Sequence, residues 1–151
     1  VKFLGDTDIN FEPKISQGLR QVAKLHHEIQ YQLDRLDGFP DRLHPKILYL
    51  HVNDESKSDI KIERDLSSGL ASIGIGAKEE EACTPHITIG RSRRENTTQG
   101  LTDLIGDHPP FWTITSIDLF ASELTDSGPL HTLITSNPLR PYDRITARGS
   151  D

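Results

Sequence analysis

Between Glu12 and Leu36 the spacing of apolar residues changes from helical to alternating, and this change restricts the chain to folds that lay helices on sheet. Ile15, Leu19, Val22 and Ala23 recur on one side of a 3.6-residue period. They follow Pro13, a residue at home in a helix's first turn because its missing donor costs nothing there. A helix is therefore predicted from about Pro13 to about His27. Ile29, Tyr31 and Leu33 then alternate with Gln30, Gln32 and Asp34, which predicts a half-buried strand ending at Leu36, before Asp37-Gly38-Phe39-Pro40 breaks it.

The same two periods organise the rest. Lys46 to Val52 is apolar on both faces and suits a central strand. Ile62, Leu66, Leu70 and Ile73 make a second helical stripe that stops at Gly74 and Gly76. The acidic run Glu79-Glu80-Glu81 reads as a solvated connection, and Pro85 to Gly90 alternates as a strand. A short third helix is expected over Asn96 to Ile105, closed by Gly106. Trp112 to Ala121 and Leu130 to Ser136 form an expected hairpin with a longer loop through Asp126-Ser127-Gly128-Pro129. Val1 to Gly5 reads as an opening strand, and the stretch after Pro138 has no periodicity, so residues 140–151 are expected to form a frayed tail. Strands joined by hairpins and mixed with helices make this an α+β domain with antiparallel sheet.

Composition narrows the function classes. At 151 residues, 34% of them apolar, the chain has material for one core. No run approaches the roughly 20 apolar residues of a membrane span, and no signal-type amino-terminal stretch is present, so no membrane partner is expected. Seventeen Lys and Arg against twenty-three Asp and Glu give a net charge of −6. That balance argues against a partner whose many duplex phosphates must be neutralised, and leaves open a small anion or a nucleic-acid end. Cys83 is the single cysteine, which rules out an internal disulfide and a cysteine zinc site and favours a reducing, cytoplasmic setting. The chain has no Met and starts at Val1, so a segment upstream is expected.

Thr84-Pro85-His86-Ile87-Thr88-Ile89-Gly90-Arg91 is the sharpest chemical signal. On a strand His86 and Thr88 share one face, while Ile87 and Ile89 take the other and anchor it in a core. An imidazole gives or takes a proton near neutral pH, and a hydroxyl beside it donates to a non-bridging phosphate oxygen. Arg91, just past the strand's end, adds a fork of donors matched to phosphate. The combination suits a phosphate ester. No pair of histidines or carboxylates has the spacing of a zinc or two-metal site, so metal-free chemistry without a cofactor is expected.

This segment resembles the second His-x-Thr motif of the two-histidine phosphoesterase superfamily, in its 2'-5' RNA ligase and RNA 2',3'-cyclic phosphodiesterase branch. Val1-Lys2-Phe3-Leu4-Gly5-Asp6 resembles the residues directly after that family's first His-x-Thr motif. Asp118-Leu119-Phe120-Ala121-Ser122-Glu123-Leu124 with Ser127-Gly128-Pro129 resembles its closing hairpin, and Phe39-Pro40 is a further point of likeness. The resemblance runs from Val1 to about Leu139 and implies a phosphoesterase domain over residues 1–139. The implied fold has two lobes of mainly antiparallel sheet with flanking helices around a central cleft, each lobe supplying one His-x-Thr strand.

The implied chemistry opens a 2',3'-cyclic phosphate at an RNA end, with reversible 2'-5' RNA ligation as a related activity. One imidazole activates water, the other protonates the departing ribose oxygen, and no metal is needed. On this reading His86 and Thr88 are catalytic, and Arg91 binds substrate. Lys2, whose parity continues the face of the missing motif while Val1 and Phe3 turn to the core, brings charge to the cleft. His131, at a place where the family often carries an aromatic, binds or stacks near substrate. The first motif's His would lie three residues upstream of Val1. A monomer is expected.

Two other readings stand beside it: a module that binds RNA ends or nucleotides without turnover, and a phosphodiesterase of small cyclic nucleotides. The remaining histidines are read as structural. His26 and His27 end a helix, His44 and His108 precede prolines, and His51 is a core or edge residue of a strand. Arg93 and Arg94 extend the basic patch or are solvated, and Phe111, Trp112 and Phe120 are read as core.

Overall fold

Helix α1 spans Glu12–Leu25 in the computed structural model, which describes residues 1–41, 44–75, 85–91 and 108–142. A short 3-10 turn, Ile9–Phe11, leads into it, and the stripe anticipated from spacing is buried: Ile15, Leu19, Val22 and Ala23. The helix stops two residues before His27 because His26 turns to an extended conformation (φ −114°, ψ 153°). Helix α2, Ser58–Ser72, begins ahead of its apolar stripe. Its first turn is held by Asp54, whose carboxylate accepts from the main-chain N–H of Ser58 at 2.6 Å and of Asp59 at 3.1 Å. It ends where Gly74 takes φ +82° and Ile75 N–H returns to the Leu70 carbonyl at 3.0 Å.

Strands β1 (Ile29–Phe39), β2 (Ile47–Asn53), β3 (His86–Arg91) and β4 (Phe111–Ile114) form a sheet in the order β3-β2-β1-β4. Strands β5 (Ser116–Thr125) and β6 (Gly128–Pro138) form an antiparallel pair. The described residues of Val1–Ile29, Ile60–Glu81 and Thr115–Asp151 make one compact unit, and those of Gln30–Asp59 and Ala82–Ile114 make another. In the first, Ile15, Leu19 and Leu70 are buried with Leu4, Phe11, Leu66, Ile73, Ile75, Ile117 and Leu119 packed around them. Each such buried side chain contributes on the order of 1.5–3 kcal/mol, against about 0–1 kcal/mol for an exposed ion pair. The apolar stripe is therefore what fastens α1 and α2 to β5. The architecture is α+β with mainly antiparallel sheet.

Several expectations change. Residues 1–5 form no strand, and the parity is reversed: Val1 and Phe3 are exposed, while Leu4 joins the helix core and Lys2 is partly buried. Five alternating residues are weak evidence for a strand, because a strand also needs a partner to pair with. The expected strand from Trp112 to Ala121 is divided at Thr115 between the two sheets, and the Thr115 carbonyl instead accepts from Leu139 N–H at 2.8 Å. Phe111 and Phe120 are exposed, not core, and Trp112 meets Tyr31 ring to ring at 5.9 Å.

The β5–β6 turn is tighter than expected, with Thr125 paired to Gly128 and Gly128 at φ +123°. Arg140 to Tyr142, assigned to a frayed tail, are tied down: Arg140 and His27 form a bridge, and Tyr142 N–H donates to Glu28 Oε2 at 3.3 Å. The acidic run at 79–81, the expected third helix at 96–105, Arg93, Arg94 and residues 143–151 lie outside the described residues.

Candidate active site

Among the described residues strand β3 is the edge of its sheet, and it pairs antiparallel with β2, which settles which side chains share a face. Directly paired residues point the same way. His86 pairs with His51, Thr88 with Tyr49, Gly90 with Leu48 and Arg91 with Ile47. The step from Thr88 to Gly90 matches a single step from Tyr49 to Leu48, so Ile89 is the extra residue of a β-bulge. Its effect is specific. Ile47, Tyr49 and His51 share one face of the unbulged β2, so their partners Arg91, Thr88 and His86 share it too.

Strict alternation sends Arg91 to the opposite face from His86 and Thr88; the bulge brings the guanidinium back to theirs. Arg91 is moreover the last residue of the strand rather than beyond it. His86, Thr88 and Arg91 are all exposed on β3. No carboxylate pairs with Arg91 among the described residues. Ile87 and Ile89, expected to anchor the strand, are 43% and 53% exposed, on a strand with a single neighbour among the described residues.

Two residues of this face escaped the reading of β2 as apolar on both sides. Tyr49 sets its ring edge-on to the His86 imidazole, centroids 5.2 Å apart and planes at 63°, which restrains the orientation of the imidazole. His51, read as a core or edge residue, lies directly opposite His86. Tyr49 and His51 have the same parity, a signal visible in the sequence; their facing His86 and Thr88 was not, because it depends on strand register.

From β1, Arg35 pairs with His51 and Asp37 with Tyr49, adding a charged row to the same face. Arg35 Nε lies 3.3 Å from Asp37 Oδ2, and its guanidinium also contacts Asp34. A second bulge, between Leu33 and Arg35, leaves Asp34 as the extra residue and changes the buried parity of β1 from Ile29 to Leu36 and Gly38. The strand runs past the expected stop at Leu36 to Phe39, where Asp37, Gly38 and Phe39 pair with Tyr49, Leu48 and Ile47.

Lys2 and His131 belong to the other unit. Lys2 Nζ lies 3.2 Å from Glu63 Oε1. The Glu63 carboxyl is held below its ordinary pKa first by the hydrogen bond it accepts from Ser67 Oγ at 2.6 Å; burial opposes this, and Lys2 adds a hydrogen bond and charge. His131 is exposed on β6 opposite Ser122. The structure thus gathers His86, Thr88 and Arg91 on one strand face, with Tyr49 and His51 beside them. His26 Nε2 is bound to Asp65 Oδ2 at 2.8 Å and His27 Nδ1 to the Pro141 carbonyl at 2.8 Å, both structural contacts.

Against known proteins, residues 1–126 match the sequence profile of the 2'-5' RNA ligase superfamily. The chain belongs to this superfamily. Within it, the chain is 25% identical over 137 residues to the RNA 2',3'-cyclic phosphodiesterase of Methanothermobacter thermautotrophicus, covering 87% of this chain and 72% of that protein. Among solved structures, it is similar to a protein of Thermus thermophilus (TM-score 0.72, 19% identity, covering 93% of this chain and 76% of that one). It is also similar to E. coli LigT complexed with 3'-AMP (TM-score 0.69, 20% identity, 91% and 74% covered). At these identities the structural likeness speaks to the fold, which is that of the superfamily's phosphoesterases.

Proposed function

We propose that the protein hydrolyses 2',3'-cyclic phosphate ends of RNA, by imidazole acid/base chemistry that requires no metal, and that an RNA 5'-hydroxyl taking the place of water gives reversible 2'-5' ligation. The observation that carries this reading is the common face of His86, Thr88 and Arg91, which combines a proton carrier with two kinds of phosphate donor on a rigid strand. The name of the Methanothermobacter relative supports the substrate class. Water attacks phosphorus and one ribose P–O bond breaks. One imidazole takes the proton of the water while another gives a proton to the departing ribose oxygen.

His86 fills one of these two roles, and the resemblance implies that the second imidazole precedes Val1. Thr88 donates its hydroxyl proton, and Arg91 its forked N–H groups, to the non-bridging oxygens, whose charge grows as the bond to water forms. In this reading residues 1–139 are the phosphoesterase domain, Lys2 and His131 contribute to substrate binding, and the protein works as a cytoplasmic monomer.

Replacing His86 by alanine in the full-length protein tests the proposal. A positioned acid or base is worth roughly 10²–10⁴ in rate, so kcat on an RNA ending in a 2',3'-cyclic phosphate is expected to fall by that factor. Unchanged turnover removes His86 from the mechanism.

A further inference from the structure

Two imidazoles face each other across β2 and β3, and only one has a role so far. His51 pairs directly with His86, and residues opposed in this way stand on the same face with Cβ atoms about 4.5–5.5 Å apart. The His51 side chain is 21% exposed. Its Nδ1 is buried and lacks an in-line hydrogen bond, yet Asp34 Oδ2 lies 3.1 Å away, so the ring is held by charge without being saturated. The Arg35 guanidinium contacts both Asp34 and Asp37.

The arrangement depends on the bulge in β1. In a regular strand Asp34 and Arg35 point to opposite faces; as the extra residue, Asp34 is re-aimed so that both meet the His51 side. An imidazole carries its nitrogens on opposite edges of the ring, so turning Nδ1 toward Asp34 turns Nε2 away from it. Neighbouring strands lie about 4.8 Å apart, which is within reach of an oxygen of a phosphate held on β3. Among the described residues, the groups around His51 on this face are Asp34, Arg35 and Asp37 from β1, Tyr49 from β2, and His86, Thr88 and Arg91 from β3.

We propose that His51 is a further substrate-binding residue whose Nε2–H donates to a non-bridging oxygen of the phosphate, and that Asp34 is the positioning residue behind its Nδ1. With Nδ1 turned toward the Asp34 carboxylate, the ring presents Nε2 to the phosphate. The proposal rests on the reading that the face of His86, Thr88 and Arg91 receives a phosphate ester.

Two amide substitutions separate the ring's two edges. Asn at position 51 reaches only to where Nδ1 stands and preserves a donor toward Asp34, whereas Gln extends its amide to where Nε2 stands. In the full-length protein, KM and kcat are measured on RNA ending in a 2',3'-cyclic phosphate. The Kd of a nucleoside 2'-monophosphate, which does not turn over, is measured alongside by calorimetry.

His51→Asn is expected to raise KM and that Kd roughly tenfold or more, the loss typical of one charge-assisted hydrogen bond, with kcat changed less than about threefold. His51→Gln should stay within about threefold of the parent, and Asp34→Asn should fall between. Equal behaviour of the two His51 variants, or better retention by His51→Asn, overturns the assignment, because a merely structural ring is rescued by the Asn that keeps the Nδ1 contact. If cyclic-phosphate RNA is not turned over by the parent while the Gln-over-Asn order persists in monophosphate binding, the proposed activity fails and the role of His51 as an anion donor stands. Turnover without that order sinks the role of His51 alone.

Discussion

Replacing Gly38 by alanine tests the packing that launches β2 toward the site. A Cβ at this position meets Pro45 Cβ at 2.5 Å and the Asp41 carbonyl oxygen at 3.2 Å. Carbon atoms at rest sit about 3.5–4.0 Å apart, so about 1 Å of overlap has to be absorbed. Pro45 is fully buried, its ring has no rotamer to swing through, and the Asp41 oxygen is main chain, so the backbone itself has to yield. Overpacking of this kind costs about 1–3 kcal/mol. Restricting the unfolded chain by removing a glycine returns about 0.5–1 kcal/mol.

The expected net effect is a destabilisation of about 1–2 kcal/mol. Gly18 and Gly69 supply the control of sign, since both lie within helices and a Cβ at either meets nothing within 4 Å. There only the favourable part acts, and Gly18→Ala and Gly69→Ala should each stabilise by about 0.5–1 kcal/mol. Urea unfolding monitored by circular dichroism reads all three as shifts in midpoint at constant slope. A Gly38→Ala midpoint at or above that of the parent, with the helical controls rising, refutes the reasoning about Pro45.

Asp54→Ala should destabilise by about 2–4 kcal/mol, because its carboxylate accepts from Ser56 N–H at 2.9 Å, Ser56 Oγ at 2.5 Å, Ser58 N–H and Asp59 N–H, and is 8% exposed; a urea midpoint within error of the parent contradicts this. Glu63 titrates below its ordinary value in the folded chain, so its contribution is full above the unfolded pKa and is lost as pH falls through the folded one. Ser67→Ala should therefore flatten the acid loss of stability below about pH 5 more than Lys2→Met does, since the hydrogen bond from Ser67 is the larger cause of the lowered pKa; thermal melts across that range with the reverse order refute it.

Much of the site was legible because its central pair is local. His86 and Thr88 stand two residues apart, and any strand presents such residues together. The helices were legible for the same reason, as the stripes from Ile15 to Ala23 and from Ile62 to Ile73 repeat within a few turns. The facing of Val1 and Phe3 was misread because parity was counted on a segment that forms no strand. His51 was passed over because its interest comes from His86 and Asp34, on other strands. Arg91 was picked for its chemistry, but local alternation assigns it to the wrong face.

From its sequence alone this protein has its two amphipathic helices, its alternating strands and an imidazole and hydroxyl side by side on one of them. Those properties follow from backbone periodicities that a dozen residues encode. Tertiary structure decided that Arg91 joins His86 and Thr88, that His51 stands opposite His86, and that Asp34 reaches His51. Each of these turns on register and on one extra residue at Ile89 or Asp34. A bulge exists only as a mismatch between two paired strands, a hydrogen-bonding relation that neither strand carries within itself.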